Sequence, residues 1–290
     1  MNKAFFFGFL YFTMNISLFS QSTVLNCESD LILLNHYVNK GKNLEAITFA
    51  NDMLASQLCK TYYDSIYYFK GQSFYQLQKF DSAQINFNKV QSTDTLKTRS
   101  LFMSSLNSAY VGDFESASIM IDKISPASKN LQKLKSFEKA GCSLLKREII
   151  TFNNISNKFT YSDYYIQNEE KELINIYNYL IKEKKKVPLK AAVFSAIIPG
   201  SGKWYCKSQG RAIATFLTVA ILSAITIENG SKNGWSNYRT IIAGSATMLF
   251  YGGNIYGSYY ETKRYNNKLD ESVNKDIIYN MDVAIRNVYY

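Results

Sequence analysis

Histidine is almost missing from this chain: His36 is the single one in 290 residues. That excludes a metal centre built from several imidazoles and leaves little room for histidine acid–base catalysis. Cysteine is sparse as well. Cys27, Cys59, Cys142 and Cys206 form no CxxC pair, which removes support for a zinc site and for a disulfide-dense scaffold. There are three prolines, and nine of the 14 glycines lie between Gly200 and Gly257. The first two thirds therefore hold few helix breakers, and the chain is predicted to be all-α. What is abundant is apolar: 47% of residues are hydrophobic, including 23 Tyr and 19 Phe. Such a chain can bury a core, and its length allows about two domains.

The charge balance is basic, 33 Lys+Arg against 23 Asp+Glu. A positive protein can face nucleic acid, an anionic membrane or an acidic partner. The sequence holds no nucleic-acid-binding module. Its one dense basic run, Lys182, Lys184, Lys185, Lys186 and Lys190, stands just before an apolar segment, where lipid headgroups are the natural counter-charge. A solvated helix end is the plainer account of the same run.

At the N-terminus Lys3 precedes an apolar stretch from Ala4 to Phe19, then Ser20, Gln21 and polar residues. This pattern predicts a secretory signal peptide over residues 1–20, cut between Ser20 and Gln21, with a retained signal anchor as the alternative.

Residues 21–181 repeat with a period of 34. LQKFDSA (Leu77 to Ala83) matches VGDFESA (Val111 to Ala117), aligning Phe80 with Phe114 and Ala83 with Ala117. With Tyr67, Gly71, Phe74 and Phe87, the better copy resembles a tetratricopeptide repeat, although Val90 and Thr95 depart from the family pattern and Ser105 takes the glycine position in the next copy. The resemblance implies antiparallel helix pairs stacked into a curved array with a concave groove. Helix pairs are expected near 29–58, 62–91 and 98–124, with further helices from about 129 to 181. In that register the groove carries Tyr68, Gln72, Tyr75 and Gln76, then Arg99, Phe102, Leu106 and Tyr110. The implied role is binding of a protein partner. Alternatively, these aromatics pack on a further helix such as 163–181. Cys27 and Cys59 fall at ends of an antiparallel pair that meet, so a disulfide between them is geometrically compatible, as are two free thiols.

Residues 182–265 read as a membrane module. A ten-residue apolar run ends at Pro199-Gly200-Ser201-Gly202, and two uncharged stretches follow, about 212–227 and 240–260. The first covers about 24 Å and the second is long enough to cross a bilayer. Trp204 and Tyr205 at one end, and Trp235 and Tyr238 at the other, suit two membrane surfaces. The expected fold is a tetratricopeptide-like helical array followed by a transmembrane helical hairpin. The string SAIIPGSGKWY and the closing GGNIYGSYYETKRYN resemble a small Pro-Gly-x-Gly module of the TM2 type found behind such repeats in bacterial envelope proteins. The matching residues are Pro199, Gly200, Gly202, Tyr205, Gly210, Gly253 and Gly257. Small residues four apart, Ala192/Ala196, Ala220/Ala224 and Gly253/Gly257, permit close helix packing within the chain or a homo-oligomer. GSGK is no phosphate loop, because Ile197 and Trp204 occupy positions where the loop needs glycine and Ser or Thr. Residues 266–290 place Ile277, Met281, Ile285 and Val288 on one face of a short amphipathic tail, which lies on the membrane or docks on the repeats.

The signal peptide places the repeats outside the cytoplasm, whereas the basic flank from Lys182 to Arg211, set against only Lys232 and Arg239 in the opposite loop, argues the reverse. An early signal usually sets orientation, so extracytoplasmic repeats are expected. No nucleophile–base pair is visible, and the acidic run Asp163, Glu169, Glu170 and Glu172 reads as a solvated face; neither enzymatic activity nor a cofactor is expected. Two functions remain. One is an envelope scaffold that binds a protein partner through its groove and membrane lipid through its module. The other is a membrane module that itself perturbs lipid or assists membrane-protein insertion, with the repeats regulatory.

Overall fold

The computed structural model describes residues 27–92 and 95–289, so the expected signal peptide and its cleavage site lie outside the described residues. The described residues are all-helical, without a strand. Nine helices come first: α1 (Cys27–Asn39), α2 (Asn43–Ala55), α3 (Tyr63–Gln76), α4 (Phe80–Asn88), α5 (Thr95–Val111), α6 (Phe114–Asp122), α7 (Lys129–Leu145), α8 (Ile149–Ser156) and α9 (Gln167–Lys182). Four more follow: α10 (Pro188–Ile197), α11 (Ser201–Tyr205), α12 (Gln209–Asn233) and α13 (Tyr238–Tyr289).

One turn recurs through the first eight helices. Gly41, Gln78, Gly112 and Arg147 are all left-handed, at φ 70°, 57°, 90° and 61°. In each case the following N–H donates five residues back: Lys42 to Tyr37, Lys79 to Phe74, Asp113 to Ser108 and Glu148 to Ser143, at 2.8–3.0 Å. This is the Schellman closure, which satisfies carbonyls that a helix end leaves open. Gln78 and Arg147 adopt a conformation that favours glycine. Arg147 is held there by its side chain, which donates to the Leu144 carbonyl at 2.8 Å and to Asp270 of α13 at 3.0 Å.

Close packing between paired helices depends on small residues. A Cβ on Gly71 would stand 2.9 Å from the Phe87 ring. Ser105, 34 residues on, is fully buried and donates to the Ala117 carbonyl at 2.8 Å. The hydroxyl thus satisfies a carbonyl on the paired helix where the glycine makes space. Leu34, Val38, Ala46, Ala50, Met53 and Ile66 form a separate small core at the N-terminal end. A disulfide joins Cys27 to Cys59, with Cα atoms 5.5 Å apart. Closing a loop of this size restricts the unfolded chain by about 3–4 kcal/mol.

The largest departure from the sequence reading is α13. The amphipathic tail beginning at residue 266 is not a separate element, because one helix of 52 residues runs from Tyr238 to Tyr289. At 1.5 Å per residue it is about 78 Å long. No proline or glycine follows Gly257, so nothing in the chain ends the helix. α12 likewise extends beyond the expected 212–227 segment at both ends. The downstream half of α13 enters the main core, where Val273, Ile277, Met281, Ala284 and Ile285 are buried with Phe102, Leu106 and Phe137.

Candidate functional site

The groove residues expected from the sequence lie on α3 and α5. Five of the eight groove residues read from the sequence, Tyr68, Gln72, Tyr75, Gln76 and Arg99, line one cavity of about 340 Å³. Asp282 and Arg286 of α13 form its opposite wall. Phe102 and Leu106 are fully buried and take no part in an open surface. Tyr110 stacks on Phe80, with ring centroids 4.3 Å apart. The extra helix that these aromatics meet is therefore α13 and not the 163–181 segment.

Tyr75 anchors that meeting, its hydroxyl donating to the Asp282 carboxylate at 2.8 Å. Burial and then the Asp282 charge push the Tyr75 phenol well above its ordinary range, so it stays a donor. Arg99 lies over the rings of Tyr68 and Tyr289, 5.3 and 5.2 Å from their centroids. Glu138 on α7 is fully buried, and neither carboxyl oxygen finds a hydrogen-bond partner among the described residues. Burial, reinforced by the nearby Asp282 charge, raises its pKa well above the ordinary value. A Cβ on Gly141, three residues on, would stand 2.7 Å from the Met281 sulfur, so the glycine admits α13. At the other edge Asp270 accepts from Arg147 at 3.0 Å and Lys185 at 2.6 Å. Burial opposes its ionisation, but these two hydrogen bonds prevail and hold the carboxyl below its ordinary value.

The second constellation is the Pro199–Gly202 break between α10 and α11. Gly200 is left-handed at φ 87°, and a Cβ on it would stand 2.3 Å from the Ala212 carbonyl oxygen. A Cβ on Gly202 would stand 2.0 Å from the Ala191 carbonyl oxygen. Only glycine permits these backbones to approach so closely. Asn254 of α13 closes the break from the side: it accepts from the Gly200 N–H and donates to the Ser195 carbonyl, both at 3.0 Å. The Ser195 hydroxyl accepts from the Gly202 N–H at 2.9 Å and meets the Ser258 hydroxyl at 2.6 Å. Twelve residues on, Asn266 makes a pair of hydrogen bonds with Lys186 alone, accepting from its N–H at 2.9 Å and donating to its carbonyl at 2.8 Å. These two amides fix α10 antiparallel along α13.

Tyr205 supports the start of α10, its hydroxyl accepting from the Val187 N–H at 3.4 Å. Gly253 has open space beside it, and Gly257 faces the Lys203 side chain at 3.8 Å. Asn254 and Asn266 were not singled out in the sequence. An asparagine inside an uncharged stretch, as Asn254 is in 240–260, was the available signal.

Among the described residues one helix, α12, is long and apolar enough to cross a membrane. α10 is apolar but has ten residues. Glycine, asparagine and tyrosine dilute the 240–260 part of α13. Both α12 and the upstream half of α13 nevertheless present large apolar side chains outward, among them Phe216, Leu217, Ile221, Ile242, Met248 and Leu249. No group of three or more His, Cys, Asp or Glu able to hold a metal occurs among the described residues. No family model, curated protein or solved structure matches this chain.

Proposed function

We propose that this chain is a non-enzymatic scaffold of a cell envelope. Tetratricopeptide-like repeats are held at a membrane by a two-helix module, made of α12 and the upstream half of α13, with α10 and α11 as a short re-entrant arm. The repeats lie outside the cytoplasm and bind a protein partner.

The observation that carries this reading is the division of α13. Met248, Leu249 and Phe250 point outward on its upstream half, 55–80% exposed. A patch of that kind in water is an association or membrane surface. Ile277, Met281 and Ile285 on the downstream half are at most 1% exposed. One rigid rod then belongs to both modules, as an anchor requires. Because α13 takes Tyr75 and Phe102, and Phe80 takes Tyr110, the partner surface narrows to the open cavity around Gln72, Gln76 and Arg99.

The backbone hydrogen bonds between Lys186 and Asn266 supply the test. They bring the two sides of the module together, so joining residue 187 to residue 266 spans no gap. A chain lacking 188–265 is expected to be soluble and monomeric, with the helical circular dichroism of α1–α9 and a cooperative melt. The full chain should remain in membranes after alkaline carbonate washing. Aggregation of the shortened chain, or release of the full chain by carbonate, would overturn the two-module reading.

The same occupancy of the groove by α13 favours a second reading, in which the membrane module is the active part and the repeats regulate it. Substituting Pro199 without loss of insertion separates the two, because a pure anchor keeps its function and an active module does not.

A further inference from the structure

Between α12 and the upstream half of α13 lies a crevice of about 460 Å³. Its walls are mostly apolar, from Ala214, Val219, Leu249, Phe250 and Gly253. One cation enters it. Lys203 extends from α11 across the face of Gly257 and donates to the Thr215 hydroxyl at 2.6 Å. That hydroxyl in turn donates to the Arg211 carbonyl at 2.7 Å.

The neighbouring cations have their counter-charges already. Arg211 pairs with Glu261 at 2.7 Å and Lys207 with Glu183 at 3.2 Å. Lys203 makes no ion pair among the described residues. The other strongly polar group in the crevice, Asn254, is committed to Gly200 and Ser195. Next to Lys203 in the chain stands Trp204, 54% exposed, a residue type that concentrates at membrane surfaces, so the membrane reading puts the ammonium near the headgroups. A lysine at the edge of lipid needs an anion. An apolar channel running away from that lysine needs a chain.

We infer that this crevice binds an anionic phospholipid, its phosphate on Lys203 and one acyl chain lying against Gly253 and Val219. The inference rests on the membrane reading above and adds a lipid class and a site to it. The small residues have a use here: Ala214 and Gly253 leave the width that an acyl chain fills, and a Cβ on Gly253 would meet nothing within 4 Å.

The test uses the full chain in nanodiscs of phosphatidylcholine containing a minority of phosphatidylglycerol, with native mass spectrometry of the lipids that stay bound on release. Wild-type protein is expected to retain phosphatidylglycerol in preference to phosphatidylcholine. Lys203→Gln should lower that retention about fivefold, the worth of one cation near an anionic headgroup. Lys268→Gln removes the same charge from an exposed site outside both the crevice and the basic run and should leave retention unchanged. Gly253→Leu fills the crevice without touching Lys203 and should expel the lipid as well. Equal retention of the two lipids, or retention indifferent to Lys203→Gln, overturns the site while carbonate resistance preserves the membrane reading. A dimer that Gly253→Leu dissociates would also overturn it, because the crevice would then hold a second copy of this chain. Loss of carbonate resistance in the wild type would mean that the membrane reading itself had failed.

Discussion

The two halves of α13 use the same residue types to opposite ends. Upstream, Ile241, Ile242, Met248 and Leu249 face outward, and the polar Asn254, Ser258 and Thr262 are buried. Downstream, Val273, Ile277, Met281 and Ile285 are buried and Tyr279 is 62% exposed. The upstream half holds its neighbours with hydrogen bonds: two asparagine amides clamp α10, and Thr226 of α12 meets Thr247 at 2.9 Å. The downstream half holds its neighbours by apolar burial, sharpened by Tyr75–Asp282. Hydrogen bonding suits helices that share an apolar surrounding, where burying more hydrocarbon brings no gain, and burial suits helices in water.

Removing the downstream half should have the largest effect. A chain ending at Asn266 loses six buried apolar side chains, Val273, Ile277, Ile278, Met281, Ala284 and Ile285. At about 1.5–3 kcal/mol for each large one, the loss approaches the whole stability of a domain. Helices α1–α9 should become aggregation-prone and lose their cooperative melt, measured by circular dichroism in detergent. A truncated chain that still melts cooperatively would mean that α13 only leans on α1–α9.

The upstream half is broken more selectively by Gly202→Ala. The new methyl group would meet the Ala191 backbone oxygen and the Ser195 hydroxyl, neither of which can retreat without opening the break. A loss of about 3 kcal/mol or more is expected for overpacking of this kind, read as a lower melting temperature of the detergent-solubilised protein. The downstream contacts should survive, so protection of the 273–285 amides in hydrogen exchange should be unchanged. Loss of that protection would show that the two halves fold as one unit.

The smallest effect concerns Glu138. Its folded pKa is raised, so the folded chain holds the proton more tightly than the unfolded chain does. The sign follows: this group's contribution is greatest below the ordinary glutamate value of 4.5 and declines as pH rises from there towards the raised value. Glu138→Gln cannot ionise. It should gain stability relative to wild type as pH increases above that value and match it most closely under acid, in melts run across the range. A difference that does not vary with pH would show that the carboxyl is ionised, or solvated, in the folded protein.

Several of these features were legible residue by residue. Gly71 and Phe87 stand out in the sequence as positions of the repeat pattern, and a Cβ on that glycine would meet the Phe87 ring. Ile277, Met281 and Ile285 read as one helical face because their spacing alone places them there. Tyr68, Gln72, Tyr75, Gln76 and Arg99 share a cavity because their register on α3 and α5 is a local property. Asp282 was invisible as Tyr75's partner, since 207 residues separate them. Asn254 and Asn266 were missed because their partners are backbone groups of a distant break, which leave no pattern around the asparagines themselves.

By itself the sequence determined helix placement, the faces of those helices, and the site of the Pro199–Gly202 break. These depend on spacing, breakers and left-handed turns, which act within a few residues. Only the tertiary structure decided that the end of α13 docks on α5 and α7, that it covers Phe102 and Leu106, and that Lys203 enters a crevice between α12 and α13. Those outcomes depend on which surfaces meet across the chain. An apolar face specifies that it will be covered, but the covering element is settled by the competition among all the faces that the fold brings within reach.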